Sequence, residues 1–379
     1  MSLIPVSRPR ISERNVFDVS HALQNAQISG HSPGVVDLER AFAEHLGVSE
    51  AIAVSSGTTA IDLTIEALDI QPGDECIVPA FTIISTVNAI ARRGARIQLV
   101  DAESNSWCMD VDNIRSVISQ YTKLVMPVHI YGLPVDMEPI LTLQKSYGYT
   151  ILEDSAEALG VSYYGKKCGA LGDISIFSLY ANKLITAGEG GIVATSDVVI
   201  ADKLRGLRNL NFSKSERFVN YELGYAARLN NLGATLALSQ LREIEELLVI
   251  KSALAKRYLE GLDGHPWFEF QATSTNYSEN KYWVFGIVLK SIAPYSAKAF
   301  QALLLSRGIE SRRFFCPLHL QPLAHKFDFA LDPRGMKNSE LLWERGVYLP
   351  FGTGILVDEV DEVVRVLWEL LTKTKQVIL

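Results

Sequence analysis

Short apolar runs alternate with longer stretches of helical period along the first two thirds of the chain. The run AIAVSS from Ala51 predicts a strand. TTAIDLTIEAL from Thr58 predicts a helix with Ile61, Leu63, Ile65 and Leu68 apolar. ECIVPA, RIQLVD, KLVMPVHIY, YTILED and, from Ile174, ISIFSL predict buried strands. Strands alternating with helices predict an α/β fold, with a mainly parallel central sheet and helices on both faces. Sheets of this kind place ligands at the carboxyl ends of their strands. The pattern changes near residue 240, where SQLREIEELLVIKSALAKRYLEGL predicts a long helix. Beyond it, the strand YWVFGIVL and the helices AKAFQALLLSRG and VDEVVRVLWELL predict a smaller C-terminal α+β domain. A boundary in the 245–255 region divides the chain into a large domain, 1–250, and a small one, 251–379.

Composition narrows the function classes. The chain has 379 residues, enough for one large core and a smaller one. A formal net charge of -7 argues against wrapping nucleic acid, which needs a basic face, and leaves room for a local basic pocket. Cys76, Cys108, Cys168 and Cys316 are far apart with no CxxC pair, so free thiols are expected rather than a disulfide framework or a metal site. The opening MSLIPVSRPRISER has no signal-peptide core, and no apolar run approaches the ~20 residues of a membrane span. The expectation is a cytoplasmic protein with no membrane partner.

Four strand ends carry candidate chemistry. Ser55-Ser56-Gly57-Thr58-Thr59 lies between a strand and a helix, where free N–H groups and the helix dipole favour a phosphate. Read alone, it is a Ser/Thr helix cap. Glu153-Asp154 ends YTILED, and such a carboxylate serves as a cap, a metal ligand or a partner for a protonated heteroatom. Glu157 shares its cavity if Ser155 starts a helix. Ser178 to Lys183 follows ISIFSL and precedes the glycine-rich Thr186-Ala187-Gly188-Glu189-Gly190-Gly191. A lone lysine is usually solvated, but one desolvated there has its pKa lowered and can form a Schiff base. Pro79-Ala80-Phe81-Thr82 ends a further strand and either packs or covers a flat ring. Pyridoxal phosphate (PLP) needs this set together: a helix N-terminus for its phosphate, a carboxylate for its ring nitrogen and a lysine for its aldehyde.

The ordered blocks IPVSRPRIS, VSSGTTAIDL, GDECIVPAFTIISTVNAI, MPVHIYG, LEDSAEALG, GDISIFSLYANKLITAGEGG and CPLHLQP resemble the DegT/DnrJ/EryC1/StrS sugar aminotransferases, of PLP fold type I. The resemblance runs through nearly the whole chain. It implies that Lys183 links covalently to PLP and shuttles protons, with pyridoxamine phosphate (PMP) formed in the half-reaction. It also implies that Asp154 pairs with the ring nitrogen and that Glu157 lies near the phenolic oxygen. Ser56, Gly57, Thr58 and Ser178 are expected at the phosphate, and His319 in PLHLQP near the mouth. The implied assembly is a homodimer or dimer of dimers, with residues 215–235 reaching a neighbouring site.

Three positions depart from the family pattern. Ile83 stands where many members have a ring-stacking aromatic, so the resemblance implies a ring–aliphatic contact with the cofactor there instead. Ala226, in Gly224-Tyr225-Ala226-Ala227-Arg228, replaces an Asn that reaches a neighbour's phosphate, leaving Arg228 or Asn231 as substitutes. Leu179 follows Ser178 where Phe is common.

NKLITAGEGG is most similar to the perosamine synthase branch, which acts on a GDP-linked sugar. The implied reaction moves an amino group from glutamate to a nucleotide-linked 4-keto-6-deoxy sugar, in deoxysugar and O-antigen biosynthesis. UDP- or dTDP-linked acceptors are alternatives. So are a PLP-dependent sugar 3-dehydratase, whose members replace the lysine with histidine, and a non-catalytic sugar sensor. Arg312, Arg313 and Lys281 are candidates for a groove holding the nucleotide diphosphate.

Overall fold

The structure is a computed structural model that describes residues 3–213, 215–216 and 218–378, with side chains through residue 372. Its strands are β1 (Glu50–Val54), β2 (Glu75–Pro79), β3 (Arg96–Val100), β4 (Thr122–Val125), β5 (Thr150–Asp154) and a short hairpin of β6 (Ser162–Tyr163) and β7 (Lys166–Lys167). They continue with β8 (Ile174–Ser178), β9 (Gly191–Thr195), β10 (Phe268–Phe270), β11 (Phe285–Leu289), β12 (Arg312–Arg313), β13 (Phe329–Leu331) and β14 (Gly346–Leu349).

The large sheet has the order β1-β9-β8-β5-β4-β2-β3-β13. Only β9 runs against its neighbours. β1 and β8, both antiparallel to β9, therefore point the same way, and β5 is parallel to β8. The carboxyl ends of β1, β8 and β5 thus open at one edge.

Alternation along the strands covers both faces. On β2, Ile77 joins a core with Ile114 and Ile140 from the helices Val111–Val117 and Met137–Tyr147. Its neighbours Cys76 and Val78 join the opposite core, with Ile61, Ile65 and Ile90 from the helices Gly57–Ala67 and Ser85–Arg92. Buried on both faces, these strands read as continuous apolar runs, as expected for a parallel sheet. KLVMPVHIY is a strand only through Val125. Its remainder makes a single bridge, Val128 to Asp154, and a 3-10 turn at Ile130–Gly132.

The C-terminal sheet β10-β11-β14-β12 is antiparallel. Ile287, Phe300 and Leu367 share its core, the last two from the helices Ala297–Leu305 and Val357–Ile378. The dividing line near residue 250 is crossed in both directions. Ile4 bridges Ile309 and belongs to the C-terminal core. β13 returns to the large sheet, parallel to β3. The helix Ile244–Gly261 spans both bodies, with Leu247 in a core of the large one and Leu254 and Tyr258 in that of the small one. No helix among the described residues is long and apolar enough to cross a membrane.

Candidate active site

A cavity of about 290 Å³ opens between the strand ends and the small domain. Ser56, Gly57, Thr58, Thr82, Ile83, Asp154, Glu157, Ser178 and Lys183 all line it. Sheet topology brings them together from segments that are far apart in sequence.

The phosphate-type corner is built at the start of the helix Gly57–Ala67. Ser56 is its N-cap, and Ser56 Oγ accepts the Thr59 N–H at 3.0 Å. This leaves the first N–H groups at the open helix end, where the dipole favours an anion. Thr58 Oγ1 lies 2.8 Å from Ser85 Oγ, a second hydroxyl that the sequence pattern did not single out. Ser178, at the end of β8, is so close that a Cβ on Gly57 would lie 3.1 Å from the Ser178 Cβ. A Cβ on Gly191 would lie 2.4 Å from the Ser56 carbonyl oxygen, so glycine lets β9 start against this corner.

Glu153 and Asp154 face opposite sides of β5, as adjacent strand residues must. Glu153 is fully buried and accepts hydrogen bonds from the backbone N–H groups of Gly169, Leu171 and Gly172 at 2.8, 2.6 and 2.6 Å. His129 Nδ1 accepts from Val135 N–H at 3.1 Å, which leaves Nε2–H to donate to Glu153 at 3.0 Å. Asp154 faces the cavity. Its Oδ1 accepts from Ala156 N–H at 3.1 Å, so it does cap a turn. Burial raises its pKa, against the Ala156 N–H and the charge of Lys183.

Turns rather than a helix follow Asp154. Glu157 nonetheless reaches the cavity, fixed by the Tyr131 N–H, which donates to Oε2 at 2.9 Å. Its Oε1 is 3.9 Å from Lys183 Nζ. Burial pushes Glu157 up to about 7, while the Lys183 charge pulls it down. Burial also lowers the Lys183 pKa, with Glu157 and then Asp154 pulling it back up.

Trp283 was missed by sequence reasoning. Lys183 Nζ lies 3.7 Å from its ring centroid, and its Nε1–H donates to Asn182 O at 3.1 Å. The tryptophan arrives from the small domain. Trp283 N–H donates to Tyr131 O at 2.8 Å beside Gly132, which has φ 101° and no room for a Cβ. The cue available beforehand was the YWVF segment.

Other expectations need correction. Phe81 is fully buried and packs against Tyr131 and Phe314, so it serves the core, and of this strand end Thr82 and Ile83 line the cavity. Arg312 lines the cavity with Tyr348. Arg313, its neighbour on β12, turns the other way and lies 3.4 Å from the Trp343 ring. His319 is outside the cavity lining and pairs with Glu340 at 3.0 Å. Lys281 is ion-paired with Glu279 at 3.0 Å. Asn231 is fully buried and donates to Gln27 O at 2.7 Å, and Arg228 is engaged by Asn209. The buried Asn231 is not available to replace the family asparagine lost at Ala226.

These residues fit pyridoxal phosphate. Asp154 is buried without an ion pair among the described residues, so a protonated ring nitrogen would supply its missing partner. The helix end, Thr58 and Ser178 suit the phosphate, and Lys183 stands in the same cavity with a lowered pKa.

The model of the DegT/DnrJ/EryC1/StrS aminotransferase family matches residues 9–368. The GDP-perosamine synthase of Caulobacter vibrioides is 33% identical over 371 residues, covering 97% of this chain and 98% of that protein. A putative sugar aminotransferase from Streptococcus pneumoniae, solved in its PMP form, superposes with a TM-score of 0.89 at 25% identity, covering 98% of this chain and all of that one. The GDP-4-keto-6-deoxy-D-mannose-3-dehydratase of E. coli also superposes with a TM-score of 0.89, over 97% of this chain and all of that one, but its 23% identity speaks only to fold. Fold, cavity and comparisons agree, and the chain belongs to the DegT/DnrJ/EryC1/StrS aminotransferase family.

Proposed function

We propose that this PLP-dependent sugar aminotransferase takes its amino group from glutamate and delivers it to the 4-keto carbon of a GDP-linked 6-deoxyhexose. The observation that carries the reading is Lys183, a buried amine 3.9 Å from Glu157 in the cavity that also holds Asp154. A 3-dehydratase of this family would have histidine there. The likeness to the perosamine synthase of Caulobacter vibrioides supports the sugar class. A UDP- or dTDP-linked acceptor is the second reading, since Arg312 is a cation that any nucleotide diphosphate would satisfy.

In this reading the open helix end, Thr58 and Ser178 hold the phosphate, Asp154 holds the ring nitrogen in its charged form, and Ile83 packs on the ring. When bound, PLP supplies an electron sink for the charge that develops as a proton leaves carbon. Lys183 moves that proton: its amine lines the cavity, and burial lowers its pKa against the pull of Glu157 and Asp154. Glu157 faces the Lys183 amine at 3.9 Å, and burial raises its own pKa to about 7. Trp283 keeps water off the amine from one side. Arg312 anchors the sugar's diphosphate, so that remote binding positions the neutral carbonyl.

The reading also includes a cytoplasmic location and a homodimer or dimer of dimers. The assembly is supported by the apolar side chains of Phe218, Tyr221 and Leu223, which are exposed on the chain taken singly. The direct test supplies glutamate and GDP-4-keto-6-deoxymannose and measures amino sugar and 2-oxoglutarate by mass spectrometry. Equal yields of both, abolished in Lys183→Ala, are expected. Consumption of the sugar without nitrogen gain would overturn the reading.

A further inference from the structure

A lysine that moves a proton has to exist in two forms. The neutral amine takes the proton, and the ammonium carries it until it is returned. Burial favours only the first, because it penalises charge. The Lys183 side chain is 11% exposed, so its charged form needs support from its neighbours. Glu157 is the carboxylate within ion-pair distance among the described residues, yet its Oε1 stands 3.9 Å away, beyond hydrogen-bond reach. Its Oε2 is already engaged by the Tyr131 N–H.

The face of Trp283 meets the same amine. Lys183 Nζ lies 3.7 Å from the ring centroid, well inside the ~6 Å over which an aromatic face attracts an ammonium, and indole is the strongest of these faces. The ring is held in that place. Its Nε1–H donates to the carbonyl of Asn182, the residue next to Lys183, at 3.1 Å. Its backbone N–H donates at 2.8 Å to the carbonyl of Tyr131, the residue whose own N–H fixes Glu157. Its backbone carbonyl accepts from Lys251 Nζ at 2.8 Å. Amine, carboxylate and indole thus belong to one frame. An aliphatic side chain would keep water off the amine as well as an indole does, so shielding alone does not explain the aromatic ring.

We propose that Trp283 is a positioning residue whose ring face stabilises the protonated form of Lys183, so that the buried amine can hold the reaction's proton. The ring then works with the carboxylates: burial lowers the Lys183 pKa, and Glu157 and Asp154 pull it back up. Other titratable groups around the amine are Lys251, Tyr282 and Lys281 behind it, the last paired with Glu279 at 3.0 Å. Tyr180, Glu189, Arg312 and Tyr348 line the cavity in front. The inference rests on Lys183 being the cofactor-bearing amine and does not depend on which sugar is aminated.

The test uses the full-length enzyme saturated with PMP, in which the Lys183 amine is free. Limiting acetic anhydride is applied across a pH series, and acetylation of Lys183, read by mass spectrometry, gives its apparent pKa. Tryptophans carrying one, two or three ring fluorines are placed at position 283 alone. Fluorine drains the ring face of negative charge while nearly keeping its shape, so the Lys183 value should fall stepwise, by on the order of one pH unit over the series. Trp283→Leu, which keeps an apolar cover without the ring, should lower it by a similar amount. A ring that only excludes water would give a flat fluorine series and, in Trp283→Leu, a rise as water enters. A flat or rising fluorine series overturns the proposal whatever Trp283→Leu does, and it decides alone should that variant fail to fold. Exchange of PMP for PLP should protect Lys183 from acetylation; absence of protection would remove the cofactor assignment on which the proposal rests. Failure of the acceptor assignment would leave all these values unmoved.

Discussion

The amine of Lys183 lies 3.7 Å from the centre of the Trp283 ring, a contact between residues one hundred positions apart, one in the loop after β8 of the large sheet and the other just before β11 of the small one. The tryptophan is held at three points: its N–H by Tyr131, its carbonyl by Lys251 and its indole N–H by Asn182. Replacing it by phenylalanine keeps the ring face and loses one hydrogen bond, worth about 0.5–1.5 kcal/mol. Trp283→Phe should therefore retain kcat within about tenfold. Trp283→Ala should lose substantially more, because water then reaches the amine. Comparison of kcat for the two variants checks this, and equal rates would contradict it.

Asp154 and Glu153 should divide the labour between chemistry and folding. Asp154→Asn keeps an oxygen for the Ala156 N–H but cannot hold a charged ring nitrogen, so cofactor retention and kcat should fall while Tm changes little. Glu153→Gln places an N–H₂ group among four donors and should lower Tm markedly. Cofactor absorbance after dialysis and thermal melts on both variants would reveal the split. A normal melt for Glu153→Gln would contradict the assignment.

Glu157 gives a pH dependence with a definite sign in the cofactor-free protein. Burial raises its folded-state pKa to about 7 from an ordinary value of 4.5. Between these values the folded state binds more protons than the unfolded state, so this group's contribution to stability falls as pH rises through that window. Glu157→Gln, neutral throughout, should melt higher than wild type at pH values above 7, with the gap closing below 4.5. Melting curves across pH test this, and a gap that widens on acidification would show the opposite sign.

The two adjacent arginines of β12 should behave differently. Arg312 lines the cavity, whereas Arg313 packs on Trp343 and donates to its carbonyl at 3.0 Å. Arg312→Ala should raise KM for the nucleotide-linked sugar with less effect on KM for glutamate. Arg313→Ala should lower Tm and leave both KM values close to wild type. Steady-state kinetics with each substrate varied in turn decides the matter.

That contrast shows where the sequence was legible and where it was not. Lys183, Asp154, Thr58 and Ser178 were visible because each follows a buried apolar strand, and parallel strands deliver their carboxyl ends to one edge. β12 is only two residues long, so its facing cannot be read from alternation and depends on its pairing with β14. Trp283 depends on Gly132 and on Tyr282 at φ 51°, backbone states that hydrophobic patterning does not encode. β13 was missed because FDFALD is only partly buried and borrows its place in the large sheet from β3. His319 was carried by its motif, yet its ring pairs with Glu340.

The central claim is amino transfer onto a nucleotide-linked keto sugar, and the most direct measurement isolates that half of the reaction. Enzyme converted to its PMP form with glutamate and freed of donor is mixed with GDP-4-keto-6-deoxymannose, and return of the PLP absorbance is followed in time. The same experiment is run with the free keto sugar. The account predicts rapid return of PLP absorbance with the GDP-linked sugar and return slower by orders of magnitude without the nucleotide, since the diphosphate positions the carbonyl. Equal rates for the two, or return only with small keto acids, would contradict it.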